Sequence, residues 1–172
     1  MKSAEVTRVE RTFRDDELIV SKTDPKGRIT YCNDVFLSIS GFREAELLGQ
    51  PHNIIRHPDM PRTIFKLLWE TLEQGREIFA YVVNRCKNGD HYWVLAHVAP
   101  DRGPDGTVTG FHSNRRTPDP AALEVIRPLY ARLLAEETRH GDRKAGLEAG
   151  FAMLQALLAD KGLSYDQFVL GL

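Results

Sequence analysis

The alternation of apolar and polar residues divides the chain into a first part of short strands and helices and a last part with purely helical spacing. Turn sequences such as Asp24-Pro25-Lys26-Gly27 and Lys87-Asn88-Gly89-Asp90 separate the strand-like segments of the first part. Five segments are predicted as strands: 18–22, 28–32, 77–86, 91–100 and 107–116. Because helices are predicted between the second and the third strand, the order favours an α+β fold with one five-stranded antiparallel sheet and short helices on one face.

Three helices are predicted between the second and the third strand. The two short ones, 35–39 and 44–48, are each followed closely by a glycine, and Asn33 is suited to cap the first of them. The longer one begins at Met60-Pro61, has a broad apolar face and ends near Gln74. A sheet covered in this way leaves room for a cavity that can hold a small molecule.

In the last third of the chain, residues 139–144 form a polar break between two amphipathic helices. We expect a bend or a new start at Pro128, whereas Gly146 and Gly150 permit close helix packing. Two roles are open for this extension: a helical hairpin that covers the chain's own sheet, or an element for dimerisation or partner docking. The predicted organisation is an N-terminal segment 1–17, an α+β domain 18–117 and a helical extension 118–172.

Composition and charge exclude several classes of protein. The 172 residues include 23 Lys and Arg against 24 Asp and Glu, so no overall basic field favours nucleic acid or acidic lipid. Cys32 and Cys86 form neither a disulfide framework nor a Cys-x-x-Cys pair, which fits a reducing cytoplasm. The longest segment without a charged residue, 149–159, is far shorter than the roughly 20 apolar residues of a transmembrane helix. We therefore expect a cytoplasmic protein without direct membrane insertion.

Two motifs carry a resemblance to a known family. The first, over residues 49–61, contains Gly-Gln-Pro-His-Asn followed by Arg-His-Pro-Asp-Met-Pro. The second, over 84–94, begins at Asn84 and contains Lys-Asn-Gly-Asp-His-Tyr-Trp-Val at 87–94. Together they resemble a PAS domain, and more narrowly the PAS sensor of Aer-type aerotaxis and redox-taxis receptors. The resemblance covers about 18–117 and continues toward Tyr130.

The resemblance implies a non-covalently bound FAD whose redox state changes the shape of the PAS fold, without catalytic turnover. By motif position, the cofactor-binding residues that it implies are Arg56, His57, Asp59, Trp69 and Asn84. Light-sensing flavin members of the PAS superfamily carry a reactive cysteine in this region. Residues 54–57 contain none, so no cysteinyl photo-adduct is expected.

The chemistry of these five side chains supports the implied site to different degrees. Arg56 has the planar donor fork that suits a diphosphate or a flavin carbonyl, and His57 either adds a titrating donor or braces the His-Pro turn. Asp59 can equally cap the long helix, and Trp69 can pack in the core instead of stacking on a flavin. Asn84 offers a donor and an acceptor to the pyrimidine edge of a flavin, or ends a strand ladder.

Other functions stay open beside a flavin sensor. A haem-based gas sensor needs one well-aimed imidazole. Five of the six histidines, all but His140, lie in the PAS-like part. A cofactor-free PAS interaction or dimerisation module would fill the cavity with side chains. No enzyme is expected, because His112-Ser113 lacks a nucleophile-elbow context and no glycine-rich phosphate loop opens a helix.

The resemblance thus predicts a homodimeric redox or oxygen sensor that signals to a chemotaxis or kinase partner. The membrane hairpin, the HAMP module and the kinase-control coiled coil that complete an Aer receptor have no counterpart in this sequence. If Met1 is a natural start, we expect a free-standing sensor whose C-terminal helices pass the signal to the partner.

Overall fold

The computed structural model describes residues 5–172 and contains the predicted antiparallel sheet. Its strands are β1 (Ile19–Thr23), β2 (Ile29–Cys32), β3 (Ile78–Arg85), β4 (His91–Arg102) and β5 (Val108–Arg116). They lie in the spatial order β2-β1-β5-β4-β3, so β3 and β2 are the edge strands. The five-stranded α+β architecture is confirmed. Residues 1–4 of the predicted N-terminal segment 1–17 lie outside the described residues.

Four helical segments connect β2 to β3. They are α1 (Asp34–Ser40), α2 (Glu44–Leu47), a one-turn 3-10 helix (His52–Ile55) and α3 (Arg62–Glu73). Asn33 caps α1, because its side-chain oxygen accepts a hydrogen bond from the Phe36 amide at 3.1 Å. Gly41 ends α1 at a φ of 72°, which glycine adopts without strain. The three α-helices and the Asn33 cap are confirmed, and the 3-10 helix is a feature that the sequence analysis did not predict.

The first helix of the helical extension lies against the opposite face of the sheet. It consists of α4 (Pro120–Arg139), α5 (Arg143–Lys161) and α6 (Tyr165–Leu170). The Tyr130 hydroxyl of α4 donates to the Tyr81 carbonyl of β3 at 2.5 Å, and its ring centre lies 5.9 Å from that of Trp93. Covering the chain's own sheet, one of the two roles left open, is therefore shown for α4, and dimerisation or partner docking stays a prediction.

Helix α4 continues through Pro128, and the new start expected there is absent. Proline removes one amide donor, which leaves the carbonyl of Glu124, four residues earlier, without its helical partner. Both Pro128 and Glu124 are exposed, so water can bind that carbonyl. Among residues 5–172, none of the helices combines the length and the apolar character that crossing a membrane requires.

A carboxylate from the extension caps the N-terminus of α3. Pro61, at the N-cap position, supplies no capping side chain. Instead Glu137 Oε1 accepts from the Thr63 amide at 2.8 Å and from the Thr63 hydroxyl at 2.7 Å. Glu137 Oε2 accepts from the amide and from Nε of Arg62, at 3.2 Å each. Asp59, which the sequence suggested as a cap, makes no such bond, and its side chain is 78% exposed.

The segment before β1 is bound to the turn between β3 and β4. The His91 amide donates to the Val9 carbonyl at 2.9 Å, and the Arg11 side chain forms an ion pair with Asp90 at 3.2 Å. Glu10 forms a second ion pair with Arg127 of α4, at 2.8 Å. The described part of the N-terminal segment therefore contacts both the sheet and the extension.

Replacing the buried cap tests how strongly the extension stabilises α3. Glu137→Ala leaves buried donors of Arg62 and Thr63 without an acceptor, so we expect the free energy of unfolding to fall by about 3 kcal/mol. Urea denaturation followed by circular dichroism measures this change. Glu124→Ala removes an exposed carboxylate from the same helix and should change it by less than about 0.5 kcal/mol. Equal losses in the two variants would contradict the capping role of Glu137.

Candidate functional site

A cavity of about 550 Å³ lies between the sheet and the helices that connect β2 to β3. This volume is within the range of sites that hold small molecules and cofactors. Apolar side chains form much of its wall, among them Leu68, Leu72, Val82, Ala96 and Val98. Of the described residues, no Asp or Glu lines it, whereas several basic residues do: Lys26, Arg56, Arg62, Lys66, Arg115 and Arg143. The cavity is therefore apolar in its wall and positive in its charge.

Arg115 is a buried charge on the cavity side of β5. The residue is 2% exposed, and its guanidinium donates to the Ser21 hydroxyl and lies 4.5 Å from the centre of the Phe36 ring. Its Nε and Nη1 have no hydrogen-bond partner within the described residues. Burial lowers the pKa of Arg115 to about 10, which leaves the group charged at neutral pH. Such a group favours a ligand that brings acceptor oxygens, because unpaired buried donors are costly.

His52, on the 3-10 helix, lines the cavity next to Arg115. Its Nε2 lies 3.1 Å from the Ser21 hydroxyl, which also accepts from Arg115. The ring stacks on Phe36 with the centroids 6.2 Å apart. Burial, together with the positive charge of Arg115, lowers the pKa of His52 to about 3. The imidazole is therefore neutral at pH 7, although the residue as a whole is only half-buried.

Three of the five predicted site residues line the cavity: Arg56, Trp69 and Asn84. The backbones of Arg56 and Asn84 form an isolated antiparallel bridge, which joins the segment before α3 to the edge strand β3. The Arg56 guanidinium lies 4.4 Å from the centre of the Phe65 ring. Trp69 packs edge to face on Phe111 at 5.6 Å and is 38% exposed, so it lies at the rim and not in the core.

The other two predicted residues, His57 and Asp59, are not among those that line the cavity. His57 is 3% exposed, and its Nδ1 accepts from the Asp59 amide at 3.1 Å. Its ring centre lies 5.4 Å from that of His91. Burial lowers the pKa of His57, and the Asp59 carboxylate only partly opposes this. The bond to the Asp59 amide is the arrangement expected of a histidine that braces the His-Pro turn.

The sequence analysis missed Arg115 and His52, and it assigned no cavity residue to the extension. A signal for Arg115 existed, because alternate residues of a strand share a face and Arg115 has the same parity on β5 as the apolar Phe111. A charged residue at an inward position marks a candidate site. Arg143 and Leu147 of α5 carry no comparable signal, since their place at the cavity depends on the docking of a separate helix.

The cysteines lie away from the cavity lining. Cys32 and Cys86 are buried free thiols, and neither is among the lining residues. In the part of the chain from residue 5 onward, no group of three or more His, Cys, Asp or Glu side chains is arranged to hold a metal ion. What the cavity offers a ligand is a set of hydrogen-bond donors and positive charges beside an apolar wall.

Comparison with known proteins agrees with this fold. The model of the PAS fold family matches residues 29–115, just over half of the 172 residues. These residues extend from β2 to the end of β5 and include most of the cavity lining. The chain belongs to the PAS fold family.

Individual relatives are receptors and regulators of greater length. The chain is 41% identical over 133 residues to the aerotaxis receptor of Escherichia coli (strain K12), which is 77% of this chain and 26% of that protein. It is 29% identical over 97 residues to the nitrogen fixation regulatory protein of Klebsiella pneumoniae, 56% of this chain and 20% of the relative. The chain therefore corresponds to one part of these longer proteins.

A solved structure of a light-oxygen-voltage domain, studied through a flavin analogue, has a similar fold. The TM-score is 0.57, the sequence identity is 19%, and the match covers 67% of this chain and 86% of the other. At this identity, the likeness extends to the fold alone.

The lowered pKa of His52 predicts that the free energy of unfolding depends on pH. Between about pH 3 and 6.5 the unfolded chain binds a proton at His52 that the folded chain does not, so stability rises with pH in this window. We expect the wild type to lose about 2 kcal/mol more than His52→Gln when the pH falls from 7.5 to 5. Urea denaturation of both proteins at the two pH values measures this difference. Identical pH dependence of the two proteins would contradict a His52 that stays neutral in the folded protein.

Proposed function

We propose that this PAS protein is a redox or oxygen sensor that binds FAD non-covalently and passes the flavin state to a signalling protein of a chemotaxis or kinase pathway. In this proposal it acts in the cytoplasm as a homodimer, without catalytic turnover, nucleic acid or membrane insertion. The observation that carries the proposal is Arg115, a buried cation whose Nε and Nη1 donors are unpaired beside a cavity with no lining carboxylate.

The lining matches the chemistry of a flavin nucleotide. An isoalloxazine is a flat ring system with carbonyl oxygens on its pyrimidine edge, and Arg115 and Asn84 would donate to those oxygens. Leu68 and Val82 would contact the apolar part of the ring, and Trp69 would stack at the rim. Arg56 would bind the diphosphate.

The comparisons with known proteins support the proposal of a flavin-binding sensor. The relative with 41% identity is an aerotaxis receptor, and the similar solved structure belongs to a domain studied through a flavin analogue. The resemblance of residues 49–61 and 87–94 to Aer-type sensors points to FAD among the flavins. Of the predicted site residues, we retain Arg56, Trp69 and Asn84 as ligand contacts and propose that His57 and Asp59 support the segment that carries Arg56.

Asn84 is the residue that we expect to respond to the ligand. When bound, FAD would supply a redox centre whose ring nitrogen N5 accepts a hydrogen bond in the oxidised form and donates one in the reduced form. The Asn84 amide can rotate to present either its donor or its acceptor. Its backbone is paired with Tyr92 of β4 and bridged to Arg56, so a rotation changes interactions at the edge of the sheet.

From Asn84 the route to the extension is short. Tyr81 lies three residues away on β3, and its carbonyl accepts the hydrogen bond from Tyr130 of α4. A change in the edge strand therefore acts on the contact that holds α4 to the sheet. For a switch, the two ligand states must favour two packings that differ by a few kcal/mol.

The cofactor itself is the first test. We expect protein purified from a native-like host to show flavin bands that dithionite bleaches, and to release FAD on heating. Visible spectroscopy followed by chromatography of the released cofactor measures both. A Soret band would instead support the haem sensor. A colourless protein that does not take up added FAD would overturn the proposal and leave a PAS interaction module.

Variants separate ligand contacts from structural residues. Arg115→Met should weaken FAD binding by at least about tenfold, yet change ligand-free stability by less than about 1 kcal/mol, because it removes a buried unpaired charge. Asn84→Ala should also weaken FAD binding, whereas Asn114→Ala, which lies outside the cavity lining on β5, should not. Fluorescence titration with FAD and urea denaturation measure the two quantities. Wild-type affinity in Arg115→Met would contradict the proposed contact.

A further inference from the structure

Two residues of the helical extension belong to the wall of the cavity. Arg143 and Leu147 both line it, although they lie beyond residues 29–115 that define the family match. They are four residues apart on α5, which places them one above the other on the same helix face. Arg143 presents a charged donor group and Leu147 an apolar side chain. This helix face therefore combines a positive charge with an apolar group, as the rest of the cavity lining does.

Close packing against α3 fixes the position of α5. Arg62 links the two helices, because its Nη1 donates to the Arg143 carbonyl at 2.9 Å while its Nε donates to Glu137 at 3.2 Å. A Cβ atom on Gly150 would stand 2.5 Å from the Thr63 hydroxyl, and one on Gly146 would overlap the Glu137 carbonyl. The predicted role of these two glycines in close packing is confirmed.

Three arginines, Arg56, Arg62 and Arg143, line the cavity close to one another, and Arg143 is the exposed one of the three. Burial lowers the pKa of Arg56, and the positive charges of Arg62 and Arg143 lower it further, whereas Glu137 opposes them. Glu137 already forms an ion pair with Arg62, and within the described chain Arg56 and Arg143 have no carboxylate of their own. Like charges held together in this way repel, so a ligand that brings a negative group would relieve the repulsion.

We propose that α5 is part of the ligand site, with Arg143 binding the phosphate portion of the ligand together with Arg56, and Leu147 closing the apolar wall. This inference rests on the proposed function, since it takes the ligand to be a flavin nucleotide. FAD and FMN both carry the phosphate chemistry concerned. Riboflavin has the same ring system without phosphate, so it separates the contact of Arg143 from contacts with the ring.

Ligand binding and docking of the extension are then thermodynamically linked. If Arg143 strengthens binding only while α5 is docked, the ligand stabilises the docked state by the same factor. Loss of the ligand would weaken the docking of α5 by that factor and so favour its contact with a partner. The helical extension would thus report the state of the cavity, even though the family match ends before it.

The affinity test compares two neighbouring basic residues in the full chain. Arg143→Ala should lower the affinity for FAD by about tenfold, equivalent to about 1.4 kcal/mol, and leave the affinity for riboflavin unchanged. Arg143 and Lys144 are both exposed, but Lys144 does not line the cavity. Lys144→Ala therefore removes the same charge from the neighbouring position, and neither affinity should change. Fluorescence titration measures all of these affinities. Equal losses for FAD and riboflavin, or no loss for FAD, would overturn the inference.

Hydrogen exchange provides a second measurement. FAD should slow amide exchange in residues 143–161 of the wild type more than riboflavin does, and this difference should vanish in Arg143→Ala. Equal exchange in the free and FAD-bound protein would refute the linkage.

If the wild type binds no flavin, the proposed function fails, and inorganic pyrophosphate becomes the probe. If pyrophosphate then slows exchange in α5 of the wild type but not of Arg143→Ala, the proposed anion site at Arg143 still holds. If it does not slow exchange, that anion site is also refuted.

Discussion

The Glu137 carboxylate accepts four hydrogen bonds from the first two residues of α3, and the positions of both the extension and the cavity depend on them. Without these bonds, the N-terminus of α3 has no capping side chain, because Pro61 supplies none. The same carboxylate also compensates part of the charge of Arg62. The Glu137 carboxylate of α4 therefore serves both as cap and as counter-ion for α3, and α3 forms part of the cavity wall.

A second constraint comes from Arg115, whose charge is buried without a carboxylate partner in the described chain. A buried charge of this kind is unfavourable unless something binds it. The sheet holds it in place through Ser21 and Phe36, which leaves two donors for a ligand. If Arg115 binds the ligand as proposed, stability and function compete at this residue, which is the usual situation at a binding site.

The cavity and the extension form one connected structure. On the cavity side, Arg143 of α5 lines the cavity, and on the opposite face Tyr130 of α4 donates to the carbonyl of Tyr81. The extension therefore contacts the sheet at the strand that carries Asn84 as well as the cavity that this strand lines. In the proposed sensor, a ligand-dependent change would have two short routes to the helical extension.

The sequence by itself determined the strands and the three helices between β2 and β3, with room for a cavity between them, because period-two and helical spacing are local properties. Its motifs also led to Arg56, Trp69 and Asn84, which do line the cavity. Only the tertiary structure decided that His57 and Asp59 lie outside the lining, that Glu137 caps α3, and that Arg143 lines the cavity. Each of these depends on contacts between residues far apart in the chain, and no local pattern specifies which distant side chain completes a helix end or a cavity.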